Sequence, residues 1–68
     1  MSLIAVIDDD EYIGDMLRRA LEGEGYQVAR AYSGTEALLL LEKTNPDLVL
    51  LDLMMPGLAG EEVLKRIQ

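Results

Sequence analysis

Aspartates stand at two places where this 68-residue chain changes character. Asp8, Asp9 and Asp10 follow the apolar run Leu3-Ile4-Ala5-Val6-Ile7, and Asp52 follows Leu48-Val49-Leu50-Leu51 shortly before Pro56-Gly57. Carboxylates drawn together repel unless a cation neutralises them or a proton is retained, and hard oxygen donors of this kind suit magnesium, which takes a few carboxylates plus water and phosphate oxygens. If the two runs are neighbouring strands, the chemistry is that of a magnesium-assisted phosphate site. The competing reading makes Asp8 to Asp10 solvated strand-end residues and helix caps, and Asp52 a turn former ahead of Pro-Gly.

The elements that must position these acids follow from the apolar pattern. Leu3 to Ile7 and Leu48 to Leu51, the latter between Asn45-Pro46 and Pro56-Gly57, are too short for stable helices and read as strands buried on both faces, which implies a parallel sheet. Tyr26-Gln27-Val28-Ala29-Arg30-Ala31-Tyr32 alternates loosely and fits a strand with an edge near solvent. Ile13, Met16, Leu17, Ala20 and Leu21 share one face of a helix, capped by Asp9 or Asp10, closed by Gly23 and Gly25, and weakened by Gly14 at about 1 kcal/mol relative to Ala. Ser33 and Glu36 form a capping box for a second helix, whose Ala37, Leu38 and Leu41 point inward, with Leu40 near the boundary and Leu39 pointing away. Gly60-Glu61-Glu62 opens a third helical pattern with Val63, Leu64 and Ile67.

The order is therefore β-α-β-α-β-α, without a repeat or linker that would mark a second domain. The two most apolar strands belong inside the sheet and the alternating one at an edge, so the expected strand order is 2-1-3. Direction reverses between strands 1 and 3. That switch point is where open α/β sheets bind ligands, and it sets Asp8 and Asp9 beside Asp52.

Six Lys and Arg against thirteen Asp and Glu give a formal charge of −7, which opposes direct contact with nucleic acid or an anionic membrane surface. No apolar run approaches the roughly 20 residues of a membrane span, and a cytoplasmic location is expected. The absence of Cys, Trp and Phe leaves neither disulfide nor zinc-thiolate support for a small core of Leu, Ile, Val, Ala and Met.

The sequence resembles the amino-terminal part of a response-regulator receiver domain, the phosphoacceptor module of two-component signalling, whose fold is flavodoxin-like. The resemblance rests on Ala5-Val6-Ile7-Asp8-Asp9-Asp10, on Tyr32-Ser33-Gly34-Thr35-Glu36-Ala37-Leu38, and on Pro46 to Gly57 with Gly60, in this order. It implies that Asp52 accepts a phosphoryl group from a phosphohistidine on a histidine kinase or phosphotransfer protein. Asp8 and Asp9 would bind Mg2+ together with Asp52, one of the two through water, and the backbone carbonyl of Met54 would add a ligand. Pro56-Gly57 and Gly60 would shape the loop beside the site.

Family members continue through two further strands that carry a Ser or Thr and a Lys contacting the phosphoryl group. Residues 1–68 thus read as a partial receiver domain, a flavodoxin-like sheet truncated before its last two strands and their helices, and poor phosphorylation is expected of the fragment itself. Lys43 and Lys65 fall in helical patterns and do not replace the missing lysine. The third strand would then present an apolar edge, for which self-association of two copies is expected. Two other functions compete. One is an interaction or structural module using that strand and Leu39. The other is an aspartyl-phosphate hydrolase suggested by Asp8-x-Asp10, a weak match because Tyr12 stands where that motif wants a small or β-branched residue.

Overall fold

The computed structural model describes residues 2–52 and Lys65. Five elements alternate along the chain: β1 (Leu3–Ile7), α1 (Glu11–Gly23), β2 (Gln27–Ala31), α2 (Gly34–Lys43) and β3 (Leu48–Leu51). The strands form one parallel sheet in the order β2-β1-β3, as expected. The expected third helix, Met54, Pro56-Gly57 and Gly60 lie outside the described residues.

Period-two alternation gives each strand two faces. Ile7 and Ala31 point to the side of α2, where they form a core with Ala37, flanked by Leu38, Leu40, Leu41, Val49 and Leu51. Leu40 thus joins the core edge, while Leu39 is half exposed as its position on the helix requires. Ile4, Ala5, Val6 and Ile7 are all buried, so β1 is covered on both faces. β3 differs from expectation: Leu48 is 52% exposed and Val49, Leu50 and Leu51 are only partly covered. Among the described residues it pairs with β1 alone, and the helices pack chiefly over β1 and β2.

The helix ends also refine the expected pattern. Asp10 is the N-cap of α1, its carboxylate accepting the Ile13 N–H at 3.0 Å, and Gly25 takes a positive φ of 95° in the turn after the helix, which glycine adopts at little cost. Ser33 caps α2 by accepting the Glu36 N–H, but the Glu36 carboxylate reaches the Tyr32 N–H at 2.8 Å, one residue before the cap. The expected inward stripe of α1 is rotated outward: Ile13 and Met16 are 43% and 50% exposed, Ala20 is exposed, and Leu17 and Leu21 are half-buried. Gly14 is the buried residue of this helix. Its missing side chain is what lets a larger group from β2 occupy the space between.

At the amino end of the sheet, Asp47 and Leu3 form a reciprocal pair. The Asp47 N–H donates to the Leu3 carbonyl at 2.8 Å, and the Leu3 N–H donates to the Asp47 carboxylate at 2.8 Å. This sets the register Ile4↔Leu48 through Ile7↔Leu51. A charge-assisted bond at an exposed site contributes about 1 kcal/mol. Asp47→Ala is therefore expected to lower unfolding free energy by about that much, and Asp47→Asn, which keeps an acceptor oxygen, by less. Urea titration followed by circular dichroism measures both, and equal losses in the two variants would count against the pairing.

Candidate functional site

The register decides what meets at the other end of the sheet. Because Ile7 lies beside Leu51, the next residues on each strand, Asp8 and Asp52, emerge side by side. Backbone bonds hold both: the Asp52 N–H donates to the Ile7 carbonyl at 2.9 Å, and the Asp8 N–H donates to the Ala31 carbonyl at 3.1 Å. Carboxylate oxygens of Asp8, Asp9 and Asp52 all lie within 4.8 Å of one another, with Asp8 and Asp52 half-buried and Asp9 exposed. Asp10 takes no part in this cluster, since its carboxylate caps α1. Its N–H instead donates to the Asp8 carboxylate at 2.9 Å, closing a tight turn over residues 8–10.

Asp8 and Asp52 border an open hollow of about 530 Å³ whose walls include Val6, Leu17 and Leu50. Oxygen donors from three carboxylates, open to solvent on one side, suit a hard divalent cation that keeps part of its water shell. Of the expected site residues, the structure thus brings together Asp8, Asp9 and Asp52, while Met54 lies outside the described residues.

One residue beside this cluster escaped sequence reasoning. Arg30, in β2, has a side chain only 7% exposed, which threads between the sheet and α1. Its guanidinium donates to the carbonyls of Ala31, of Val6 at 3.3 Å and of Asp10 at 3.1 Å, and stands 4.1 Å from the centre of the Tyr32 ring. Nε faces the Asp15 carboxylate at 3.5 Å without a directed hydrogen bond. The Tyr32 hydroxyl donates to the same carboxylate at 3.3 Å. An arginine in an alternating strand reads as solvated. The available clue was the pairing of that arginine with a glycine inside an otherwise good helix.

Residues 4–68 match the family model of the response regulator receiver domain. The chain belongs to that family. Solved receiver-domain proteins share the fold at close range. TrrA of Thermotoga maritima, in complex with Mg2+ and BeF, is 43% identical with a TM-score of 0.91, over 98% of this chain and 58% of TrrA. The complex of the histidine kinase ThkA with TrrA gives 43% identity and a TM-score of 0.88 over the same shares, 98% and 58%. A Burkholderia pseudomallei response regulator, with a phosphorylated aspartic acid, a calcium ion and citrate, is 30% identical with a TM-score of 0.93, over 98% of this chain and 39% of that one. The chain spans little more than half the length of TrrA. Receiver domains are signalling modules of two-component systems, with the flavodoxin-like fold seen here. Among the described residues, no helix is long and apolar enough to cross a membrane.

Without a cation, the acids repel one another. Two unit charges about 4 Å apart interact by roughly 1 kcal/mol even in bulk water, and less as salt is added. Asp9→Asn removes one of them at the exposed position. In chelator-treated, low-salt buffer it is expected to raise unfolding free energy by about 1 kcal/mol, with the gain shrinking at high salt. Thermal unfolding at two ionic strengths measures this, and a destabilised variant would show that the cluster is not governed by repulsion.

Proposed function

We propose that this receiver domain is a phosphoacceptor of a two-component phosphorelay, with Asp52 as the residue that carries the phosphoryl group. The observation behind this reading is the convergence of Asp8, Asp9 and Asp52 within 4.8 Å at the carboxyl ends of adjacent parallel strands. In the reaction, a carboxylate oxygen of Asp52 attacks the phosphorus of a phosphohistidine on a histidine kinase or phosphotransfer protein. The new O–P bond forms as the P–N bond breaks, and the imidazole leaves with its electron pair and is then protonated. Asp8, Asp9 and Asp52 would hold Mg2+, joined, as the family resemblance implies, by the backbone carbonyl of Met54, and the ion would offset charge on the transferring phosphoryl oxygens. The protein contributes mainly position: strand ends fix Asp52, and the turn over residues 8–10 sets the two other acids. This makes the chain a phosphoacceptor rather than an enzyme in its own right, working in the cytoplasm. The similarity to TrrA, whose solved structures include a complex with Mg2+ and BeF and one with the histidine kinase ThkA, supports the choice of metal and partner.

Because the chain spans 58% of TrrA, we place it as part of a receiver domain. The strands that carry the family's Ser or Thr and Lys belong to the remaining portion. Two measurements test the assignment separately. Mg2+ should raise the thermal midpoint of the native chain, since any ligand that favours the folded state stabilises it by mass action. Asp52→Asn and Asp9→Asn should abolish most of that rise. Incubation with a small acyl phosphate and Mg2+ should yield sparse label that maps to Asp52 alone. Label on the Asp52→Asn variant would sink the assignment.

We also propose that two copies associate through the outer edge of β3. Leu48 is half exposed there, and among the described residues no strand covers that edge. Backbone groups of an uncovered strand are a ready template for pairing, and a two-fold arrangement closes the assembly. Sedimentation velocity should show a dimer that dissociates on dilution and is weakened by Leu48→Lys. A monomer at all concentrations would exclude this interface.

A further inference from the structure

The Arg30 guanidinium joins both ends of the turn that carries Asp8 and Asp9. At one end, Nη1 donates to the Ala31 carbonyl, the same oxygen that accepts the Asp8 N–H at 3.1 Å. At the other, Nη2 donates to the carbonyl of Asp10 at 3.1 Å, which also accepts the Gly14 N–H at 2.9 Å in the first turn of α1. A planar fork is needed to serve two carbonyls at once, and arginine has one where lysine has a single ammonium.

The space for this fork is made by Gly14. A Cβ at that position would lie 1.8 Å from Nη2 and 2.1 Å from Cζ of Arg30. The obstructing atoms are the far end of a flexible side chain, so an alanine would expel the guanidinium rather than deform the backbone. Gly14 and Arg30 are therefore a complementary pair, although they lie sixteen positions apart and on two different elements.

We infer that Arg30, admitted by Gly14, is a positioning residue that holds the Asp8 to Asp10 turn in the geometry required for metal binding. The inference rests on the magnesium site proposed above. A role confined to filling the core would affect stability and leave metal affinity alone. Residues that orient metal ligands from behind typically change affinity by about tenfold or more.

The decisive experiment measures Mg2+ affinity by calorimetry, with Mn2+ paramagnetic resonance as a second probe, and thermal midpoint by circular dichroism, all on the same chain. Arg30→Ala is expected to bind Mg2+ about tenfold more weakly with its secondary structure retained. Arg30→Lys should fall nearly as far, and Gly14→Ala should match Arg30→Ala. In the double variant, affinity should drop no further than in either single one. There, Gly14→Ala should raise the midpoint, because alanine is the better helix former once the guanidinium is gone, whereas in the native background it should lower it.

If the native chain binds Mg2+ and the folded Arg30 variants bind equally well, the positioning role falls while the metal site stands. If the native chain itself fails to bind, both fall. Should Arg30→Ala lose its secondary structure, Arg30→Lys and the double variant decide. A Gly14→Ala effect of the same sign in both backgrounds, or unfolding of all these variants, would overturn the pairing.

Discussion

The parallel register between β1 and β3 is the constraint on which the rest of this molecule depends. Asp8 lies five positions after Leu3, and Asp52 five positions after Asp47. Equal spacing converts one pairing at the amino end of the sheet into another at the carboxyl end. A slip by one residue would turn every side chain of β3 to the opposite face, separating Asp52 from Asp8 and carrying Val49 and Leu51 away from the core around Ile7, Ala31 and Ala37. The reciprocal bonds of Asp47 and Leu3 therefore act on the site from the far end of the strands.

Where a feature depended on apolar patterning within one element, it was legible in the residues. The three strands, their order 2-1-3, a cap of α1 by Asp9 or Asp10, which the structure gives to Asp10, and the outward direction of Leu39 all follow from local sequence. The acids that meet at the sheet end were legible for the same reason, since strand ends are marked by a change from aliphatic to charged residues. What was misread depended on which surfaces find a cover. An unbroken aliphatic run such as Leu48 to Leu51 states a preference for burial but not its supply, and β3 is only partly covered among the described residues. The stripe on α1 was equally good as a helical pattern, yet it does not say which part of the apolar arc meets the sheet.

The answer for α1 came from two residues that single-element reasoning counts as costs. Gly14 reads as a weak point in a helix and Arg30 as a polar residue in a strand. Together they let the helix approach the sheet at a point where a guanidinium, not an aliphatic side chain, fills the gap. Pair complementarity of this kind leaves no periodic trace. It is visible only when the topology places the two positions opposite each other.

This arrangement also explains how a small aliphatic core sustains an electrostatically unfavourable site. The residues buried beneath it are mainly Ile7, Val6 and alanines, which supply little packing free energy to resist repulsion among three carboxylates. Restraint comes instead from directed bonds onto backbone carbonyls: the Asp52 N–H donates to Ile7, the Asp8 N–H to Ala31, and the Arg30 fork to Ala31 and Asp10 across the turn. Directed bonds fix position with less dependence on core size than packing does, because each one specifies an atom and an angle. They are also concentrated on carbonyls, while the charge of Arg30 faces Asp15 and the walls of the hollow include Asp8 and Asp52. A cation placed between the acids would then relieve a repulsion that the backbone already holds in place, so that metal binding and folding favour the same geometry.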